Sequence, residues 1–165
     1  MGKKSVWNRP WVLPLPLQTE GAGEPVRLLN GSGWKLCREL QTDSWQEMSF
    51  EDVSVPMQLE PSEKEYAYIC DLEIPEEWKG KRIFLRFDGV NCHARVFVDE
   101  KPAGEHYGGF VSWDCEITDF AASGGKHRLG LKVKDDPGGV CPFHFGGIIR
   151  DVSLFVLPRT KQGWK

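Results

Sequence analysis

This chain lacks any apolar run near the about 18 residues that a membrane-spanning helix requires. No apolar segment follows Lys3 and Lys4, because Pro10, Pro14 and Pro16 interrupt the only candidate, so no secretory signal is visible. A cytoplasmic protein is the expectation, with export after removal of a leader as the alternative. Basic clusters are lacking as well. Lysines and arginines number 21 against 24 aspartates and glutamates, a net charge of −3 without a basic patch, which argues against nucleic acid as a partner. Cysteine is scarce and awkwardly placed. Cys37, Cys70, Cys92, Cys115 and Cys141 are scattered, odd in number and free of CxxC spacing. That pattern argues against a zinc site or a disulfide framework, so neither metal nor cofactor is expected. Free thiols packed as small apolar groups fit a reducing compartment. Helical periodicity is nearly missing too, with one-turn candidates only at Pro75–Trp78 and around Thr118–Ala122.

What is present is alternation. The 165 residues suit one domain, since domains commonly run to about 100–200 residues. The 40% hydrophobic and 27% charged composition is ordinary for a folded soluble chain. Residues 1–28, rich in proline and glycine, read as an extended arm. From Trp34 onward apolar residues recur at period two. Tyr68, Cys70, Leu72 and Ile74 form one run, Ile83, Leu85 and Phe87 a second, and Ala94, Val96 and Val98 a third. Leu129, Leu131 and Val133, then Val152, Leu154 and Val156, complete the series. Such alternation marks half-buried strands, and Phe84, Phe97, Phe155 and Leu157 break the polar outer face. Turn signals separate the runs at Asp88-Gly89, Asp99–Pro102, Ser123–Gly125 and Asp135–Gly139. An all-β sandwich is the expected fold class.

Several stretches then fall into a recognisable order. Leu29-Asn30-Gly31 precedes Gly33-Trp34-Lys35-Leu36, and Phe50–Val55 ends in Pro56. Ile74-Pro75 leads to Trp78-Lys79-Gly80-Lys81-Arg82, and Phe84–Val90 follows. Val96–Asp99 leads to Gly104-Glu105-His106-Tyr107-Gly108-Gly109-Phe110, then Trp113-Asp114 and Ile117-Thr118-Asp119. Gly146-Gly147-Ile148-Ile149-Arg150-Asp151-Val152 closes the set. In this order the stretches resemble the first domain of family 2 glycoside hydrolases, the group of β-galactosidases, β-glucuronidases and β-mannosidases. The resemblance covers about residues 29–158 and implies a galactose-binding-like jelly-roll sandwich. Residues 159–165 would then be a linker towards a further domain.

The same resemblance implies which residues matter. The family's catalytic glutamates lie on a separate barrel, so no catalytic residue is expected in this chain, and a carbohydrate and that barrel are the expected partners. The adjacent carboxylates, Asp135-Asp136 among them, read as solvated turns. Ser112, His106 and Asp114 lack any spacing that supports a triad. β-Galactosidases and β-glucuronidases place a sugar-contacting aspartate nine residues before the motif arginine, where this chain has Cys141. A thiol is a poor acceptor, so His144 is the nearest polar replacement, Asp135 and Asp136 could swing in from upstream, and Glu63 comes from the loop before Tyr68. Trp78 and Trp113 are expected as apolar plugs, and Gly109, Gly147, Arg150 and Asp151 as structural motif residues. Asp88, Asp119 and Asp151 are the candidate partners of Arg150. Tyr107, Phe110, Trp113, Phe143 and Phe145 could supply an aromatic platform or an interface, with self-association as a consequence of exposure. The parent enzyme would be a retaining β-galactosidase-like hydrolase, with glucuronate as the next sugar. A stand-alone carbohydrate-binding module and a protein-interaction sandwich are the alternatives.

Overall fold

The computed structural model describes residues 27–109, 111–121, 123–135 and 146–159. In chain order these form β1 (Arg27–Leu28), β2 (Gly31–Cys37), β3 (Glu51–Val55), β4 (Tyr66–Ile74) and β5 (Arg82–Phe87). Then come β6 (Val90–Asn91), β7 (His93–Val98), β8 (Lys101–Tyr107), β9 (Trp113–Glu116) and the helical turn α1 (Thr118–Ala121). β10 (Gly125–Lys134), β11 (Gly147–Ile148) and β12 (Val152–Leu157) complete the series. Short 3₁₀ turns occupy Trp45–Glu47 and Glu76–Trp78.

The strands build two antiparallel sheets, in the orders β3-β2-β4-β10-β7-β8 and β1-β12-β5-β9, with β6 and β11 paired separately. Register follows the alternation read from the sequence. Leu129, Leu131 and Val133 of β10 stand opposite Cys70, Tyr68 and Tyr66 on one side and Val98, Val96 and Ala94 on the other. In the second sheet Val152, Leu154 and Val156 face Phe87, Leu85 and Ile83. All of these side chains are buried in one core between the sheets. A period-two pattern can bury one face only if the register is held, because a one-residue slip would turn the whole set outward.

The outer faces explain the aromatic residues that broke the pattern. Trp45 lies edge-on to Phe97 at 5.4 Å, and Lys132 reaches over both rings while its ammonium bonds the Asp43 carbonyl at 3.2 Å. This leaves no room at position 130 for a side chain: a Cβ on Gly130 would stand 2.7 Å from the Trp45 ring. On the other sheet Phe84 stacks on Phe155 at 5.0 Å, between the guanidinium groups of Arg82 and Arg86. Those cations bond Glu116 and Asp114, each through two nitrogens at 2.8–3.0 Å. The β7–β8 hairpin turns on Asp99 and Glu100, both at positive φ (49° and 68°), the backbone that a two-residue turn between twisted strands needs.

Register also collects the loops. Tyr66 pairs with Val133, Lys134 with His93, and His93 with Tyr107. The starts of β4 and β7 and the ends of β8 and β10 therefore share one end of the sandwich, together with the 60–65 turn and Gly108.

Candidate functional site

At that end the chemistry centres on Tyr66. It continues the alternation two residues ahead of Tyr68, so both rings point into the core and meet edge-to-face at 5.9 Å. The Tyr66 hydroxyl accepts the Gly147 N–H at 2.6 Å and lies 2.9 Å from the Asn91 carbonyl and 3.0 Å from Asp135 Oδ1. Tyr68 receives the Ile148 N–H in a longer contact of 3.4 Å. Burial holds both phenols well above their ordinary pKa. Gly147 is at φ 101°, and a Cβ there would stand 2.9 Å from both the Met57 carbonyl and the Tyr68 hydroxyl. The motif glycine is thus a seat for tyrosine hydroxyls as well as a turn residue.

Asp135 corrects a reading of the sequence. Expected as part of a solvated turn, it is only 7% exposed. Its Oδ2 accepts the Ser62 N–H at 3.1 Å, and a Cβ on Gly146 would meet both carboxyl oxygens at 2.6 Å. Burial raises its pKa, while the bonds from Ser62 and Tyr66 pull it back. Gly146 is fixed in turn by paired backbone bonds with Leu59, both at 2.8 Å.

Of the residues singled out from the sequence, Glu63 is exposed and immediately follows Ser62. Cys141, His144 and Asp136 lie outside the described residues, as do Phe110, Phe143 and Phe145. Gly109 packs on Asn91: a Cβ there would come within 2.4 Å of its side-chain oxygen. Arg150 is half-buried with its aliphatic stem against Gly89. Among its candidate partners, Asp151 accepts from Asn30 at 2.7 Å and Asp88 from Ser112 at 2.9 Å, while Asp119 lies within α1. Asn30 also accepts the Val152 N–H, so it pins the motif to the strand that follows.

Trp78 and Trp113 are buried. Trp113 stacks between Phe87 at 4.6 Å and His106 at 5.0 Å, and its indole N–H and His106 Nδ1 have no hydrogen-bond partner. Tyr107 is the outward ring, 69% exposed and stacked on His93 at 3.8 Å, with His93 Nε2 2.9 Å from Glu105. No triad forms, because Ser112 bonds Asp88, Asp114 bonds Arg86, and His106 lies flat on Trp113. Free thiols are found at Cys37, Cys70, Cys92 and Cys115, and burial pushes Cys70 and Cys115 up to about 11.

Sequence reasoning missed Tyr66 and Asn91. The period-two pattern, extended two residues towards the N-terminus, contains the signal for Tyr66. Asn91 carries none, since its role depends on a carbonyl brought near by the fold.

Known proteins are similar to this chain in sequence and in fold. A β-glucuronidase of Bacteroides fragilis is 44% identical over 95 residues, covering 54% of this chain and 14% of its own length. A β-galactosidase of Thermoanaerobacter pseudethanolicus is 30% identical over 133 residues, covering 69% of this chain and 18% of its own length. The chain therefore spans less than a fifth of either enzyme. The solved structure of a calcium-binding mutant of Bacteroides uniformis β-glucuronidase 2 superimposes with a TM-score of 0.69 at 26% identity, over 82% of this chain and 18% of that one. Ruminococcus gnavus β-glucuronidase shares the fold, with a TM-score of 0.73 at 18% identity over 88% of this chain and 30% of its own. The family model for glycosyl hydrolase 2 galactose-binding domain-like proteins matches residues 42–137. On the strands, the motif glycines and this match, the chain belongs to the glycosyl hydrolase 2 galactose-binding domain-like family.

Proposed function

We propose that this chain is the non-catalytic N-terminal sandwich of a family 2 glycoside hydrolase that removes a terminal β-linked galactose or glucuronate. The observation that carries the reading is one of proportion: relatives named for these activities match most of the sandwich and only 14–18% of their own length. The sandwich supports a separate catalytic barrel and lends it the segment 136–145, which leaves from Asp135 and returns at Gly146. Cys141 is a weak acceptor for a sugar hydroxyl, so contact with the substrate falls to His144, Asp136 and Glu63. Hydrolysis of this kind needs two carboxyl groups flanking the scissile bond. The purified chain is expected to leave chromogenic β-galactosides and β-glucuronides intact. Its gene, read past Lys165, is expected to continue into a barrel with two glutamates. Turnover by the chain itself, or a stop codon there, would overturn the proposal.

A second reading, a carbohydrate-binding module, rests on Tyr107, whose exposed outer face could carry the apolar face of a sugar. Saturable binding of a monosaccharide that is lost in Tyr107→Ala would favour it.

A further inference from the structure

We infer that Asp135 keeps its proton in the folded chain and acts as a neutral clamp joining β4, the 60–65 turn and the Gly146–Gly147 entry to β11. The Tyr66 hydroxyl has too few protons for the contacts around it unless Asp135 supplies one. A phenol has one proton to give and two lone pairs to accept with. One lone pair of Tyr66 takes the Gly147 N–H. Its single proton can reach the Asn91 carbonyl or Asp135 Oδ1, at 2.9 and 3.0 Å, but not both. Were Asp135 ionised, one of these acceptors would face the phenol oxygen with no proton between them. With Asp135 protonated, every contact is used. Its Oδ1–H donates to Tyr66, Tyr66 donates to Asn91, and Oδ2 accepts the Ser62 N–H.

The surroundings favour the same state. Among the described residues the groups facing Asp135 are the Tyr66 and Tyr68 phenols of β4, the Asn91 backbone of β6, the Ser62 amide and Gly146, all neutral. Among the described residues no lysine, arginine or histidine bonds it, and the adjacent Lys134 is exposed. A carboxylate taken out of water without a cation is costly, and such a group keeps its proton instead. The bearing of the clamp on sugar contacts made by residues 136–145 rests on the proposed function; the clamp itself does not.

Asparagine can point an N–H at Tyr66 and keep an oxygen for the Ser62 N–H, with one further N–H, so Asp135→Asn is an uncharged stand-in for the protonated aspartate while Asp135→Ala removes the clamp. The test is thermal unfolding of the 165-residue chain and both variants between about pH 5 and pH 8. A carboxyl whose folded pKa is raised stabilises fully below its unfolded pKa and loses that contribution as pH rises through the folded value. Wild type is therefore expected to lose melting temperature relative to Asp135→Asn as the pH climbs. Asp135→Asn should match or exceed wild type at neutral pH. If the melting temperature of wild type relative to Asp135→Asn stays level or rises from about pH 5 to pH 8, the carboxyl is ionised and the inference fails. The comparison needs only wild type and Asp135→Asn, so it stands even if Asp135→Ala does not fold. It also needs no sugar, so its failure is separable from that of the proposed function.

Discussion

Replacing Tyr66 by phenylalanine removes a single oxygen from a side chain that is 1% exposed. The ring keeps its volume and its edge-to-face contact with Tyr68, so the change tests polar bonding rather than packing. Gly147 N–H loses an acceptor 2.6 Å away, and Asn91 and Asp135 lose the group between them. One buried donor left unsatisfied costs roughly 1–3 kcal/mol, and about 2 kcal/mol is the expected loss. For a domain of this size that corresponds to a fall of about 4–8 °C in Tm. Tyr68→Phe is the internal control. Its hydroxyl meets the Ile148 N–H at 3.4 Å, a long bond, so a smaller fall is expected. The assay is thermal unfolding at neutral pH, with NMR-detected hydrogen exchange at the Gly147 amide to localise the effect. A Tm within about 1 °C of wild type, with the Gly147 amide still protected, would refute the reasoning.

Gly130→Ala places a Cβ where the Trp45 ring lies, and this overpacking is expected to cost roughly 1–3 kcal/mol by denaturant unfolding. In a Trp45→Ala background the same substitution should cost far less, and equal costs in both would show that the two positions do not interact. The bidentate bond from Arg82 holds the Glu116 carboxyl below its usual range. Because the folded value is depressed, its stabilisation is present above the unfolded pKa and lost as pH falls through the folded one. Both side chains are about 40% or more exposed, so the effect is small. Glu116→Gln should flatten the acid limb of the stability curve slightly, and an unchanged limb would count against the pair.

The legible parts of the fold are those in which one face of a strand is buried and the other wet. Ile83, Leu85 and Phe87 announced their direction because Arg82 and Arg86 lie between or beside them. β10 was legible on its inner face only. Gly130 and Lys132 are also sheltered, because Trp45 arrives from a segment that has no period of its own. β8 was hidden for the opposite reason. It is an edge strand in which no residue from Lys101 to Tyr107 is buried, so no alternation could form. At the site, the glycines and Arg150 were visible as a motif, but the burial of Asp135 was not. Asp-Asp-Pro-Gly-Gly has the composition of a turn, and only Ser62 and Tyr66, brought in from distant sequence, make its first residue an interior group.

The strand orders also bear on how the chain assembles as it is made. The six-stranded sheet draws on nothing beyond Lys134, and its β7–β8 hairpin closes over two residues. In the other sheet β12 lies between β1 and β5, so Arg27 and Leu28 have no strand to join until Ser153 and Leu154 have been synthesised. Synthesis from the N-terminus therefore leaves the inner surface of the larger sheet incompletely covered until the last described strand emerges. The final ladder then joins the first and last described strands of the sandwich, and non-local pairing of that kind is slow.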